Sequence, residues 1–230
     1  MATQADILTS IRDRLNESTA RAWTDVQLRK WINEGVRDIA RQCEIVKSDA
    51  TVSTSASTQQ YTMTENIVRI YRVEWSPSSG SNVYPLLHRD MNSMDQIWWN
   101  QKTQSEGTPN YWTDWGYPPS LKVSLYPTPS EAGTLTVYYY AVPADLATDG
   151  TAAASTITLP TGWEDLVVDY AEYHALRKDA DPRWQEAKGL YDERLGNMYD
   201  LTRRYSDQGD VFGSSDQTGL PGWLVNHEWV

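Results

Sequence analysis

The sequence predicts an α+β fold: an antiparallel helical bundle made of an N-terminal and a C-terminal helix pair, with a β domain inserted between the pairs and an extended C-terminal arm. Three observations predict it. Apolar residues recur at spacings of three and four from Ile7 to Cys43, and again from Trp163 to Tyr205. Between these stretches, short alternating or aromatic runs are punctuated by Gly, Pro and Ser clusters. Each helix has a single apolar stripe, so each pair alone leaves that stripe wet, and closing the two pairs on each other is the economical solution. The corresponding boundaries are 1–47 and 158–206 for the two halves of the bundle, 48–157 for the inserted domain and 207–230 for the arm.

The first helix opens at Thr3, with Asp6 three residues on, and carries Ile7, Leu8, Ile11 and Leu15 on one stripe. The second has the fullest start signal: Thr24 as N-cap, Gln27 completing a capping box, and Trp23 and Leu28 placed for a hydrophobic staple. Its stripe runs through Trp31, Ile32, Val36, Ile39 and Cys43. Gly35 lies beside that stripe, either as a weak helix position or as a point of close approach by a neighbouring helix. Cys43, the single cysteine, extends the apolar face and reads as a buried structural thiol.

Residues 48–60 are nearly all small and polar, and the β grammar follows. Ile67–Trp75, Leu121–Tyr126 and Leu135–Val142 are strand candidates, the last two joined by PTPSEAG as a hairpin. Asp90 can cap a short helix through Met91, Met94, Ile97 and Trp98, and GTPNYWTDWGYPP reads as an ordered loop or irregular edge strand. Residues 144–156 form a soft boundary. A third helix starts at a Thr161–Glu164 capping box, with Trp163, Leu166, Val167, Tyr170, Tyr173 and His174 on or near one face. Asp181 caps the fourth, with Pro182 in its first position, and the stripe Trp184, Ala187, Tyr191, Leu195, Met198, Leu201, Tyr205 gives it ~24 residues, or ~36 Å. The arm ends in LPGWLVNHEWV. Its Leu220, Trp223, Leu224 and Trp229 are awkward in water, which calls for docking on the chain's own body or on a partner.

Composition narrows the function. The 230 residues hold 20 Lys and Arg against 31 Asp and Glu, a net charge of −11. That argues against a dedicated nucleic-acid or anionic-lipid surface, although a smaller basic patch is compatible with it. One cysteine excludes an internal disulfide or multi-cysteine zinc site, and three dispersed histidines (His88, His174, His227) leave little for a histidine-based metal site. No apolar run approaches the ~20 residues of a membrane span, and the first residues lack a signal peptide's apolar core, so the chain reads as soluble and made in a cytoplasm. The aromatic set is 11 Trp and 14 Tyr against one Phe. Rings with polar tips suit half-exposed sheet and the buried centres of protein interfaces.

No nucleophile elbow, zinc-protease helix, phosphate loop or dinucleotide fingerprint occurs, and neither a cofactor nor an enzymatic activity is expected. Glu164, Asp165, Asp169 and Glu172 form an acidic group, but the Glu-x-x-His pairs of a di-metal bundle are missing, so the group reads as a solvated acidic face and His174 as structural. Trp98, Trp99, Trp112 and Trp115 are candidates for a partner surface on the β domain; they could equally be its core or, with Glu106 and Asp114, a sugar-stacking cleft.

An ordered succession of motifs carries a resemblance. It begins with Trp23-Thr24-Asp25, Leu28, Trp31-Ile32-Asn33-Glu34-Gly35 and Asp38-Ile39-Ala40. It continues through Tyr84-Pro85-Leu86, Gly107-Thr108-Pro109, Tyr111, Leu125-Tyr126-Pro127-Thr128-Pro129 and Val137-Tyr138-Tyr139. It closes with Leu159-Pro160, Trp163 to Ala171, Asp179 and Asp181. Over residues 1 to about 205 the chain resembles the head-to-tail connector (adaptor) proteins of tailed bacteriophages. The resemblance implies a helical bundle carrying an antiparallel β-sandwich-like insertion. It also implies a homo-oligomeric ring of twelve copies in the virion neck, docked on the portal protein, with tail or nozzle proteins below and DNA passing through without specific binding. By analogy the arm residues Leu220, Trp223, Leu224 and Trp229 would grip the portal. A tail-tube or nozzle component, and a carbohydrate-binding host-recognition module, are the alternatives.

Overall fold

The computed structural model describes residues 2–17, 22–93 and 106–209. The chain is mixed α and β and divides into two compact units, Met1–Ile45 with Asp145–Val230, and Val46–Ala144.

In the first unit, α1 (Gln4–Arg14) and α2 (Asp25–Cys43) begin where their caps place them. Thr3 Oγ1 accepts from the Asp6 N–H while the Asp6 carboxylate accepts from the Thr3 N–H, and Thr24 and Gln27 form the same reciprocal pair. Ile7, Leu8 and Ile11 of α1, and Leu28, Ile32, Val36, Ile39 and Cys43 of α2, are buried. Burial pushes the Cys43 thiol up to about 11, so it stays protonated and inert.

Helix α3 (Glu164–Lys178) packs against α1, α2 and α4 (Trp184–Gly209). Its start differs from the expected capping box. Trp163 holds the cap position without a side-chain cap, and the Glu164 carboxylate turns back to accept from the N–H groups of Gly162 (2.6 Å) and Ala2 (3.3 Å). Asp181 Oδ1 accepts from the Arg183 N–H, and α4 begins at Trp184, two residues later than the proline suggests. Gly35 marks a close approach: a Cβ there would stand 3.1 Å from ring atoms of Tyr170 on α3.

The soft boundary read from composition at residues 144–156 is tied to the helices from Leu146 onward. The Asn33 side chain donates to the Leu146 carbonyl (2.7 Å) and accepts from the Leu146 N–H (3.2 Å), filling both sides of one peptide. Gln4 and Ala5 donate backbone bonds to Ser155 and Ala153, Ile157 donates to Ala2, and Ile157 and Leu159 are buried.

The second unit is a seven-stranded sheet of β1 (Lys47–Thr54), β2 (Gln60–Met63), β3 (Ile67–Pro77), β4 (Tyr84–His88), β5 (Tyr111–Trp115), β6 (Leu121–Tyr126) and β7 (Gly133–Ala141), in the order β1-β7-β3-β4-β5-β6-β2. Only β4 and β5 run parallel. The first and last strands of that order are neighbours in sequence. A flat sheet would set them about 29 Å apart, whereas the link from Thr54 to Gln60 spans at most about 20 Å, so the sheet must curl until it nearly closes. One core fills it, from Val73, Trp75, Leu135 and Val137 on one stretch to Met63, Trp112, Val123 and Leu125 on the other. Trp75 Nε1 donates to Thr54 Oγ1 (3.0 Å), and Gly133 lets the β7 backbone pass the same indole, where a Cβ would fall 2.9 Å from Nε1.

Two expectations change here. β6 and β7 are not a hairpin: β6 pairs with β5 and β2, while β7 pairs with β1 and β3, so PTPSEAG carries the chain across the unit. Its Pro129 carbonyl accepts from the Ser57 N–H on the way. The polar stretch 48–60 supplies all but the first residue of β1, where Ala50 and Val52 face the core and larger inward side chains are not needed.

Candidate interaction surfaces

The acidic group of α3 is not a solvated face. Asp169 is 1% exposed, and its carboxylate accepts from Arg14 of α1 and from Arg194 of α4, the latter at 2.7 Å. Glu172 also accepts from Arg14 (3.4 Å), while Asp165 stays exposed. A buried carboxylate demands such partners, because leaving it uncompensated costs about 3–5 kcal/mol. Each Asp169 oxygen faces a guanidinium, and among the described residues no group of three His, Cys, Asp or Glu side chains is placed to hold a metal ion. His174 packs among Trp31, Tyr170 and Tyr173, and burial, then Arg177, holds its pKa below the usual value. Tyr191 Oη donates to Asp38 (2.6 Å), joining α4 to α2.

Beside this cluster an open groove of about 290 Å³ runs between α3 and α4, floored by Trp163, Leu166 and Met198 and flanked by Asp165, Arg194 and Leu201. Leu201, expected on the buried stripe, is 50% exposed at its mouth, and Tyr199 is exposed nearby.

The β-domain tryptophans separate. Trp112, expected at a partner surface, is 2% exposed and belongs to the core, because β5 lies between β4 and β6 with both flanks paired at that residue. Trp115, three residues on, is 41% exposed with Lys122 Nζ 4.7 Å from its ring centre. Asp114 accepts from or pairs with His88 Nε2 (3.0 Å), whose ring lies against Trp112. A paired-tryptophan sugar platform needs both rings in the open, so Trp112 cannot serve one. Trp98 and Trp99 lie outside the described residues, as do Leu220, Trp223, Leu224 and Trp229.

What remains is a chain of capped helices and a curled sheet with exposed aromatic and aliphatic surface, and residues 2–214 match the family model described as SU10 adaptor protein. The chain belongs to the SU10 adaptor protein family. No curated protein matches its sequence. Membership makes this a structural adaptor of a bacteriophage particle, associated with other virion proteins, and bears out the resemblance to head-to-tail connectors. The matched stretch takes in the whole β unit and the helical unit up to residue 214. Among the described residues of this adaptor, no helix is long and apolar enough to cross a membrane.

Sequence reasoning missed the Arg14–Asp169–Arg194 cluster and the clamp on Leu146. Arg14 lies in the last turn of α1, where its charge is already explained by the helix dipole, so nothing local signals a partner 155 residues away. Asn33 carries a fainter signal: it is polar on the flank of an apolar stripe, where a buried amide needs a partner.

Proposed function

We propose that this adaptor forms a ring of twelve copies in the virion neck, docked on the portal protein above and carrying tail or nozzle proteins below. The observation that carries the reading is the family match over nearly the whole chain. In this reading the four helices are a bundle that holds the ring's wall. The β unit is a sandwich-like insertion facing partners, and the arm grips the portal through Leu220, Trp223, Leu224 and Trp229. The negative charge supports a channel that DNA crosses without being held. Residues of the helical unit (1–45 with 145–230) number 14 basic against 23 acidic, net −9, and the β unit's 6 against 8 give −2. The role is structural, without turnover.

Mass photometry of the full chain, with and without purified portal, tests this. Rings, or stoichiometric loading onto portal rings, are expected; a chain that stays monomeric and ignores the portal overturns the reading. Deleting residues after Gly209 should weaken docking and leave the fold intact, and undiminished portal affinity in that truncation would remove the arm's role.

A further inference from the structure

The outward face of β1, β7 and β3 has a composition unlike the rest of this acidic chain. Strand register sets two rows across it. Lys47, Tyr140 and Arg69 form one, and Asp49, Tyr138 and Arg72 the other. Each tyrosine carries an arginine over its ring, Arg69 at 5.3 Å and Arg72 at 5.8 Å. Register shifts between Ile67 and Arg69, and between Ile70 and Arg72, break the alternation of β3. Tyr71 and Arg72 are consecutive, yet both are exposed, and the Tyr71 ring lies 5.0 Å from that of Tyr140 and 6.3 Å from that of Tyr138. Lys47 Nζ stands 5.7 Å above the Tyr71 ring. Bulges re-aim side chains in this way. Here they gather three tyrosines and three cations on one face, where Lys47, Arg69, Tyr71 and Arg72 are exposed, Tyr138 is half-buried and Tyr140 is buried beneath them; against them stand Asp49 and Glu74, the latter mostly buried and accepting from Arg72 and Tyr138.

Arg and Tyr are the residues most enriched at the energetic centres of protein interfaces. Rings held by neighbouring rings and cations lose little rotamer freedom on docking. The face is basic while the helical unit of the same chain carries a net charge of −9. We infer that the Lys47–Tyr71–Arg72 face of the β unit docks on the acidic helical unit of a second copy of this chain. Such a contact joins two different surfaces, so it is heterologous, the kind that generates a ring when the rotation closes. The inference rests on the ring reading and names the surface that builds it.

Two measurements on the full chain test it. Sedimentation velocity across salt concentrations should show self-association that weakens as salt rises and falls at least about tenfold in K47E/R69E/R72E, with the circular dichroism and unfolding midpoint of the parent kept. A photo-crosslinking residue at position 71 should join a second copy within 1–45 or 145–209. If the parent assembles and the triple variant assembles equally, or crosslinks fall only within the β unit, the inference fails and the ring reading stands. If the parent stays monomeric at all concentrations, the inference fails. Loading onto portal rings then decides the ring reading separately. A triple variant that loses its fold is replaced by K47E alone, where weakened self-association is expected and parental self-association overturns the inference.

Discussion

The ring of Tyr170 on α3 occupies the space that a side chain on Gly35 of α2 would fill, with Cγ and Cδ1 both 3.1 Å from an ideal Cβ. The glycine therefore sets how closely the two helices approach, and it is kept in a helix interior at a propensity cost of about 1 kcal/mol relative to alanine. Gly35→Ala should destabilise despite its better propensity. Overpacking against the fixed root of the ring costs about 1–3 kcal/mol. Urea denaturation checks the sign, and a stabilised variant would show that the helices can part freely.

Asp169 links three helices through Arg14 and Arg194. Asp169→Ala removes the acceptor of two partly exposed guanidiniums and should cost about 1.5–3 kcal/mol. Arg194→Met should cost less, because that arginine is partly exposed and Arg14 remains. Unfolding midpoints of the two variants in the same buffer test the ranking.

The Asn33 amide holds the Leu146 peptide on both sides. Asn33→Leu should cost about 1–3 kcal/mol, since the part-buried Leu146 peptide groups lose their partners. Faster hydrogen exchange at the Leu146 amide, with exchange in the β unit unchanged, is the expected local signature.

His174 is held neutral by burial first and by Arg177 second, with Asp38 opposing, so its folded pKa lies below 6.5. Between that folded value and 6.5 the unfolded chain binds more protons than the folded one. The contribution to stability is therefore complete above pH 6.5 and falls as pH drops through and below it. Replacing His174 with Phe should flatten the pH dependence of the unfolding midpoint over this window; an unchanged slope would assign it to the carboxylates alone.

Trp112→Ala should cost about 3–5 kcal/mol, as for a large ring removed from a core. Trp115→Ala should cost no more than about 1 kcal/mol, the loss of an exposed cation–π contact. On a glycan array, binding abolished by Trp115→Ala would favour sugar recognition over the adaptor role of the β unit; no binding is expected.

Legible in the residues alone are the helix starts at Thr3 and Thr24, the stripes of α1 and α2, the bounds of β6, the buried thiol of Cys43 and the alternatives for Gly35. These are local matters, written within three or four residues by capping chemistry and by the helical and extended periods. Only packing between distant segments establishes that Asp169 is buried between two arginines, that the 144–156 stretch is tied to the helices from Leu146 onward, that β6 and β7 do not pair, and that Trp112 is core while Trp115 is surface. Each of those depends on groups far apart in the chain: 155 residues for Arg14 and Asp169, 113 for Asn33 and Leu146. A carboxylate or a tryptophan carries no mark of which partner will take it out of water. That is settled only when packing sets the neighbours, because burial is affordable for a charge or a polar edge only where its partners arrive with it.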